Sequence, residues 1–399
     1  MSLIGVVCEY NPFHNGHEYH LRESRQGRDD AGVVCVMSGD FVQRGEPAIY
    51  SKFARAEAAC FCGADVVFEL PLPWSLASAE GFARGAAGLL AALGADTLSF
   101  GTEAESLKDL DFLAGRLIEP ETIDLICEKQ AQDATLSFAA ARQAALEDLC
   151  GPAARLLEEP NNILAVEYLK AIRTMRLELT PLAVRRVGSA HDGDGEGNSR
   201  SASALRSLLR SGRSAAEFMP AAAAAVFERD TEMGRGMPSK EVLETAMLSR
   251  LRMLDAARCA ALPDASGGLG ERLLAAAAEE PTMDALIAAV KNKRVAMSRV
   301  RRVCCCAALG VESGMATGIP PYARLLALTA RGREILAEIK KTSRVPILTK
   351  PAAVRELGGE SLRIFSLGAA AHDLYALGYR AQEERRGGAD WRSSPRLIE

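Results

Sequence analysis

The stretch that most constrains how this chain can fold runs from Leu3 to His20 and reads LIGVVCEYNPFHNGHEYH. Its apolar run, Leu3 to Cys8, is rich in β-branched residues and too short for a helix, so it predicts a buried strand. The run ends before Asn11-Pro12, and His14-Asn-Gly-His17 then leads into a helical pattern. The stretch therefore predicts a strand, a tight loop and a helix N-terminus.

This predicted loop suits phosphate groups. A helix N-terminus presents unpaired backbone N–H groups and the positive end of the helix dipole. Gly16 lacks the Cβ that would hold a ligand away from the backbone, and His14 and His17 can direct two donors to the same oxygens. Nucleotidyl transfer fits these parts, because in-line attack on an α-phosphorus needs charge stabilisation and positioning, not an enzyme nucleophile. In the alternative interpretation, the histidines only satisfy a helix end.

Length and composition limit the number of domains and the kinds of partner that this chain can have. A chain of 399 residues with 48% hydrophobic residues predicts two or three domains. The net charge of -4 does not indicate a polyanionic partner, so any nucleic-acid surface must be local. The ten cysteines form neither a zinc pattern nor a disulfide framework, and Cys304 to Cys306 are predicted as helical core residues. Without a signal peptide or a membrane-spanning apolar run, the chain is expected to be cytoplasmic.

Further apolar runs alternate with helical patterns. Strands are predicted at 32–39, 64–71, 96–100 and 182–187, with helices at 51–62 and 81–93 between them. This alternation predicts an α/β fold with a doubly wound parallel sheet, whose ligands bind beyond the carboxyl ends of the strands. Gly101 follows such an end, where a glycine permits close approach of a nucleotide or simply forms a turn. Segment 106–150 is predicted as a helical insertion of unknown role, and 188–199 as a polar, glycine-rich loop.

Three other polar sites accompany this pattern. Arg44 and Lys52 follow the second strand, where they either fold over a nucleotide or are solvated surface charges. Glu159-Pro-Asn161-Asn162 predicts a helix start with asparagine as the cap. In Ser201-Ala-Ser203-Ala-Leu-Arg206, hydroxyls can cap a helix while the arginine reaches the β- and γ-phosphates, although such sequences are also common as plain N-caps.

Five blocks of sequence occur in a specific order. They are Glu9-Tyr-Asn-Pro-Phe-His-Asn-Gly-His17, Ser38-Gly-Asp-Phe-Val-Gln-Arg-Gly-Glu-Pro47, Phe100-Gly-Thr-Glu103, Pro160-Asn-Asn-Ile-Leu164 and Lys293-Arg-Val-Ala-Met-Ser-Arg-Val-Arg-Arg302. The first block resembles the H-x-G-H signature of the nucleotidylyltransferase superfamily, and 201–206 resembles its second signature. Together the five blocks resemble the bacterial tRNA(Met) cytidine acetate ligase family over nearly the whole chain.

The resemblance implies a two-step reaction. Acetate and ATP give acetyl-adenylate and pyrophosphate, and the acetyl group then passes to the wobble cytidine of elongator tRNA(Met), giving N4-acetylcytidine. ATP is implied as a substrate with Mg²⁺ bound through its phosphates, the partners are tRNA and acetate, and neither a membrane nor an obligate protein partner is expected. Two departures from the family pattern are Asp40, where Asn is expected, and Val295-Ala296, in place of an aromatic-hydroxyl pair.

The resemblance also implies site residues. The catalytic residues would be His14 and His17, and no protein metal site is expected. The ATP site, completed by the second signature, would comprise Val7, Cys8, Glu9, Tyr10, Asn11, Pro12, Phe13, His14, Asn15, Gly16, His17, Glu18, Tyr19, His20, Gly101, Asn161, Arg186, Ser203 and Arg206.

Beyond about residue 213, strand signals stop and helices dominate. Between Val290 and Lys350 there are thirteen Lys/Arg against three Glu, a net charge of +10. A helix over 294–309 is predicted, and its basic side suits RNA phosphates through shape and backbone recognition, although a solvated face is the alternative. The predicted tRNA-binding residues are Lys291, Arg294, Arg299, Arg301 and Arg302, with Ala296, Met297, Val300, Val303 and Cys304 facing the core.

These patterns predict an ATP-binding catalytic domain at 1–213 and a mainly helical, locally basic tRNA-binding domain at 214–399. Two other functions remain compatible with parts of the sequence. A nucleotidylyltransferase of a small molecule would share the N-terminal motifs without needing the basic helices. A non-catalytic RNA-binding protein on the same fold would not need His14 and His17.

Overall fold

The N-terminal segment folds as strand, loop and helix. The computed structural model describes residues 1–133, 135–186 and 200–399, so the predicted loop at 188–199 lies outside the described residues. The first elements are β1 (Leu3–Cys8), α1 (Asn15–Arg25), β2 (Gly32–Ser38), a hairpin of β3 (Phe41–Val42) and β4 (Glu46–Pro47), α2 (Lys52–Phe61), β5 (Val66–Leu70), α3 (Leu72–Ser75), α4 (Ala79–Ala92) and β6 (Thr97–Thr102).

The segment predicted as an insertion is helical and packs on the main core. It contains α5 (Leu107–Arg116), α6 (Pro120–Gln132) and α7 (Phe138–Cys150), followed by a 3-10 helix (Gly151–Glu158), α8 (Pro160–Met175) and β7 (Thr180–Arg185). Leu110, Leu113 and Leu146 are fully buried in the same apolar cluster as α4 and β6. The insertion therefore belongs to the layer of helices that covers one face of the sheet.

The remainder of the chain is mainly helical. Its elements are α9 (Ala202–Arg210), a 3-10 helix (Ala216–Phe218), α10 (Ala221–Glu232), α11 (Lys240–Leu251), α12 (Ala256–Ala260), α13 (Leu269–Glu279), α14 (Met283–Val290), α15 (Met297–Leu309), β8 (Ala323–Thr329), α16 (Ala330–Thr342), β9 (Ile347–Leu348), a 3-10 helix (Pro351–Ala353), α17 (Val354–Leu357), α18 (Gly359–Ala376), a 3-10 helix (Gln382–Arg385), α19 (Ala389–Arg392) and β10 (Arg396–Ile398).

One large sheet organises the molecule. Its order is β10-β8-β5-β2-β1-β6-β7, with β9 beside β8. The five strands from β5 to β7 are parallel, and the chain winds outward from β1 in both directions. This confirms the doubly wound parallel sheet, and the reversal in strand order places a crevice between the carboxyl ends of β1 and β6.

The prediction that strands cease after residue 213 is wrong. Strand β8 pairs antiparallel with β5, and β9 and β10 pair with β8. The β8 sequence, ARLLALT, consists largely of helix formers, and a short apolar run does not separate a buried strand from a buried helix. The domain boundary at 213 stays a prediction, but the C-terminal part contributes strands to the N-terminal sheet.

The helix predicted over 294–309 begins later, at Met297. The Asn292 side chain accepts hydrogen bonds from the N–H groups of Arg294 and Val295, at 2.9 and 3.1 Å, and this turn delays the helix. Ala296 and Met297 are exposed rather than core-facing, so that part of the prediction is wrong. Cys304, Cys305 and Cys306 are buried, which confirms their prediction as core residues.

None of the helices in the described ranges combines the length and the apolar character needed to cross a lipid bilayer.

Candidate active site

A cleft with a volume of 270 Å³ opens at the carboxyl ends of β1 and β6. The starts of α1, α8 and α9 and the loop between β3 and β4 form its walls. The predicted site residues that line it are Val7, Cys8, Glu9, Tyr10, Asn11, His14, Gly16, His17, His20, Gly101, Asn161, Arg186, Ser203 and Arg206. Segments up to 200 residues apart in sequence thus meet at the switch point of the sheet.

Five residues of the predicted ATP stretch do not line the cleft: Pro12, Phe13, Asn15, Glu18 and Tyr19. Phe13 is fully buried and packs edge-on against Tyr10, with ring centroids 4.7 Å apart. The Asn15 amide donates to the Glu217 carbonyl at 3.5 Å. These two side chains therefore stabilise the loop without lining the cleft.

The two histidines of the loop have defined proton positions. His14 is the N-cap of α1, and its Nδ1 accepts the Gly16 N–H at 3.1 Å. The His17 Nδ1 accepts the His14 N–H at 3.3 Å. Because both Nδ1 atoms are acceptors, each neutral ring carries its proton on Nε2. The stacked rings, 3.7 Å apart, thus form a pair of N–H donors.

The surroundings keep these imidazoles uncharged. Burial, with a smaller effect of Arg186, lowers the pKa of His14 to about 3 and that of His20 to about 4. Burial also lowers the pKa of His17, and His14 adds to the effect. Gly16 has a local role as well, since a Cβ there would lie 3.0 Å from Cε1 of His14. A side chain at position 16 would therefore press against the His14 ring.

The opposite wall contains Asn161 and Arg186, joined by a residue that the sequence did not identify. One oxygen of Glu103, Oε1, accepts a hydrogen bond from the Asn161 amide and lies 3.4 Å from Arg186 Nε. Asn161 does not cap α8, because the N-cap is Glu159, so that prediction is wrong. Asn162 instead accepts from the N–H groups of Glu103 and Ala104, which fixes the end of β6.

The second signature enters the cleft from α9. Ser201 caps this helix by accepting the Ala204 N–H at 3.2 Å, as the sequence predicts. Arg206 donates to the Asn11 carbonyl at 2.9 Å and pairs with Glu46 at 3.2 Å. These contacts tie α9 to both the HxGH loop and β4.

The structure decides between the interpretations of Arg44 and Lys52. Arg44 lines the cleft, as one of its two interpretations expected. Lys52 is buried between Glu69 and Asp390, so both interpretations of Lys52 are wrong.

Several lining residues were not predicted from the sequence. They are Gln43, Glu46, Phe82, Phe100, Pro160, Leu164, Tyr168, Ser201 and Ala202. The polar ones lie in or beside the motif blocks, but the apolar ones carry no signal that separates them from core residues.

A buried arginine outside the motif blocks also shapes the cleft. Arg55 is inaccessible to solvent, and its guanidinium donates to the carbonyls of Glu9, Ser38, Gly39 and Tyr50. It thereby fixes the ends of β1 and β2. An arginine within an Ala-rich helix gives no sequence signal for this role.

A second cavity, of 520 Å³, continues from the cleft to α15. Both cavities share Arg44, Glu46, Ser203 and Arg206, and the second is also lined by Ser207, Arg210, Met297, Ser298 and Arg301. We call this second cavity the basic groove.

The five predicted tRNA-binding residues do not form one helical face. Lys291 and Arg294 precede α15. Arg299 donates to Asp264 O and Ser266 Oγ, and Arg302 is buried 3.7 Å from the Asp264 carboxylate. Arg301 is half-exposed and lines the basic groove. Of the five, only Arg301 reaches this groove.

Within the described ranges, no three His, Cys, Asp or Glu residues are arranged to hold a metal ion.

Comparisons with known proteins point to one family. Residues 1–390 match the family model described as HIGH Nucleotidyl Transferase. A protein of Acetivibrio thermocellus named tRNA(Met) cytidine acetate ligase is 34% identical over 409 residues, which cover 98% of both chains. Its namesake from Syntrophotalea carbinolica is 38% identical over 88% of this chain and 85% of its own. The crystal structure of Thermotoga maritima TmcAL bound with alpha-thio ATP matches with a TM-score of 0.92 and 31% identity over the full length of both chains.

Proposed function

The chain belongs to the HIGH nucleotidyl transferases and, within them, to the tRNA(Met) cytidine acetate ligases, and from this premise we propose how its cleft works. A carboxylate oxygen of acetate attacks the α-phosphorus of ATP, which gives acetyl-adenylate and releases pyrophosphate. The N4 amine of the wobble cytidine in elongator tRNA(Met) then attacks the acetyl carbonyl carbon, and AMP leaves.

The observation that carries the first step is the pair of imidazole donors at the switch point. Both Nδ1 atoms are engaged by the backbone, so His14 and His17 present neutral Nε2–H donors where ATP phosphates would lie. Donors that are already oriented stabilise the charge that develops at the α-phosphoryl group without reorganising. Arg186 and Arg206, on opposite sides, supply positive charge for the nucleotide phosphates.

The residues around the cleft fit a metal that arrives with the nucleotide. The groups available for phosphates are arginines and neutral histidines, while the two carboxylates that line the cleft have other partners: Glu46 is paired with Arg206, and Glu9 accepts the Gln43 N–H. We therefore assign Mg²⁺ to the ATP phosphates, where it would neutralise charge and favour release of pyrophosphate.

The basic groove provides the route for tRNA. It shares four residues with the cleft and adds Arg210 and Arg301, so a polynucleotide in the groove would place one nucleotide at the cleft. Few aromatic side chains are available for base stacking, which favours contacts to phosphates and RNA shape.

Acid-dependent exchange of radiolabelled pyrophosphate into ATP tests this function. The full-length protein is assayed with formate, acetate, propionate and butyrate, and acetyl transfer is then measured with elongator tRNA(Met). The expected result is exchange that is fastest with acetate and an acetyl group on the wobble cytidine. Exchange without any transfer to tRNA would favour a small-molecule nucleotidylyltransferase. Absence of exchange with all four acids would contradict the proposed first step.

A further inference from the structure

The transfer step needs a group that removes a proton, and this inference rests on the proposed function. As the cytidine N4 forms its bond to the carbonyl carbon, the bond from that carbon to the AMP oxygen breaks, and AMP takes the electron pair. The attacking nitrogen must lose one proton to become a neutral amide. A positioned side chain that accepts this proton typically contributes about a hundred- to ten-thousand-fold in rate.

The histidines of the cleft are poor candidates for this acceptor. The Nδ1 atoms of His14 and His17 accept backbone N–H groups, so their Nε2 atoms already carry protons. His20 Nε2 is engaged in a hydrogen bond with Ser99 Oγ at 2.9 Å. With pKa values of about 3 for His14 and about 4 for His20, their imidazoles are weak bases.

The other ionisable groups of the cleft are also unsuitable. Burial raises the pKa of the Cys8 thiol and of the Tyr168 phenol, so both groups stay protonated. Both carboxylate oxygens of Glu46 are engaged in ion pairs, one with Arg206 at 3.2 Å and the other with Arg301 at 3.8 Å. Glu9 is the carboxylate that remains.

Glu9 follows β1 directly and lines the cleft. Its Oε1 accepts the Gln43 N–H at 2.7 Å. Its second oxygen has no hydrogen bond or ion pair to any residue that the structure describes. One oxygen is therefore fixed by the backbone, while the other can accept a proton from a group in the cleft.

Glu9 also lies on the side from which tRNA would enter. Gln43, its partner, belongs to the loop between β3 and β4, and the next residue, Arg44, lines both the cleft and the basic groove. A nucleotide that enters from the groove would thus reach Glu9 on its way to the acetyl group.

We propose that the Glu9 carboxylate is the catalytic base that accepts the N4 proton of cytidine during acetyl transfer. Its environment suits this role, because burial raises its pKa towards the range in which a carboxylate is an effective base. The groups that act against this rise are the Gln43 N–H and the charges of Arg55, Arg206 and Arg44. The neighbouring Cys8 and Tyr168 are uncharged.

The test is Glu9→Gln in the full-length protein. Glutamine keeps an oxygen that can accept the Gln43 N–H but cannot take up the proton. Single-turnover acetyl transfer to tRNA should fall about a hundred-fold or more, and this loss should be much larger than any loss of acetate-dependent pyrophosphate exchange. In wild type, transfer should decline as pH falls through the pKa of Glu9, and this decline should be absent in Glu9→Gln. Glu105→Gln, an exposed glutamate paired with Arg185, is the matched control and should change neither rate.

Each alternative outcome is decisive. Normal transfer by Glu9→Gln would overturn the proposal, and equal losses of exchange and transfer would assign Glu9 to ATP binding instead. If Glu9→Gln does not fold, Glu9→Asp takes its place. This variant keeps a carboxylate and should preserve the pH-dependent decline of transfer. Transfer by Glu9→Asp that does not decline at low pH would also overturn the proposal. A wild-type protein without acetate-dependent exchange would instead contradict the proposed function itself.

Discussion

At the residue scale, His14 has two roles that substitutions can separate. Its Nδ1 caps α1, and its Nε2–H faces the cleft. Asparagine is a good N-cap but lacks the imidazole donor, so His14→Asn should preserve stability and remove the donor. We expect pyrophosphate exchange to fall about a hundred- to a thousand-fold in His14→Asn, and to fall similarly in His17→Ala.

Thermal unfolding provides the control for this prediction. His14→Ala loses the cap as well as the donor and should unfold with about 1 kcal/mol less free energy than His14→Asn. Near-normal exchange in a folded His14→Asn, His17→Ala double variant would remove the histidines from catalysis.

Glu103 is expected to act as a positioning residue for the nucleotide. Its Oε1 holds Asn161 and Arg186 together, although it does not itself line the cleft. Glu103→Gln removes the charge-assisted interaction with Arg186, and the KM for ATP should rise about ten-fold, equivalent to roughly 1.4 kcal/mol, with a smaller change in kcat. Glu105→Gln, two residues away, should leave both constants unchanged. A fall in kcat at constant KM would contradict the positioning role.

Sequence reasoning found the polar part of the cleft because motif spacing carries chemical information. The HxGH loop, Gly101, Asn161 and the second signature all reach the same site. It could not find Phe82 or Tyr168, because an apolar side chain on a cleft wall has the same pattern as one in the core. It identified the block that contains Glu103 without assigning that residue a role.

At the element scale, we expect two helices, α9 and α15, to supply the arginines that bind tRNA in the basic groove. Arg210 and Arg301 line the basic groove, so the Arg210→Gln, Arg301→Gln double variant should weaken tRNA binding and flatten its salt dependence. The slope against log salt should fall by about one for each phosphate that an arginine no longer neutralises. Pyrophosphate exchange should not change. Affinity measured at several salt concentrations provides the test.

Lys340→Gln, Lys341→Gln is the matched control for charge, since both lysines are exposed on α16 within the same basic segment. It should leave the slope unaltered. Arg302→Gln should act differently, because Arg302 is buried beside Asp264 and its replacement should lower stability. A slope unchanged by the groove variant would place the tRNA elsewhere.

The hairpin of β3 and β4 rests directly on α15 through Gly45. Gly45 has φ +74°, and a Cβ there would lie 2.4 Å from the Arg302 backbone nitrogen. Gly45→Ala should therefore push the hairpin away from the helix and reduce tRNA-dependent transfer more than exchange. Gly212→Ala is the control, because Gly212 has φ +76° with open space around it and reports the backbone strain alone.

Unfolding measurements separate the two effects at Gly45. Gly212→Ala should cost about 1–2 kcal/mol, and Gly45→Ala about 1–3 kcal/mol more because of the added clash. Equal losses in the two variants would show that the hairpin yields without strain.

At the scale of the whole molecule, a buried ionic cluster joins distant parts of the chain. Lys52 and Arg324 each contact Glu69 and Asp390 within 3.1 Å. Asp40 extends the cluster, since its Oδ2 lies 2.7 Å from His372 Nδ1. Three carboxylates and two fixed cations leave one negative charge, which an imidazolium at His372 balances.

This pair predicts a pH-dependent stability. Asp40 helps to raise the pKa of His372 above 6.5, so the stabilisation is complete below that pH and is lost as pH rises through the folded value. His372 lowers the pKa of Asp40 below 3.8, so the stabilisation is present above that pH and is lost as pH falls through the folded value. The pair should stabilise the fold most between about pH 4 and 6.5.

Asp40→Asn is the test of this pair. Asparagine can still accept the Lys52 N–H and can donate to a neutral His372, so the fold should tolerate it. Its denaturant-measured unfolding free energy should lose the wild-type decline above pH 6.5. An identical decline in both proteins would show that His372 titrates independently of Asp40. The departure from the expected Asn at position 40 would then have no electrostatic consequence.

The doubly wound sheet was predictable because five strands alternate with helices in sequence order. The ionic cluster was not predictable, because residues in direct contact within it are up to 338 residues apart and each has an ordinary sequence context. The pairing of β8 with β5 was not predictable for the same reason. Contacts between remote segments depend on tertiary packing, which the local sequence pattern does not indicate.

The position of β8 has a consequence for synthesis on the ribosome. The edge of β5 is made from residues 66–70, but the strand that covers it is made from residues 323–329. At about 5–20 residues per second, the nascent chain carries that edge uncovered for on the order of ten seconds to a minute. An unpaired strand edge recruits other strands, so the growing polypeptide should need chaperones during this interval.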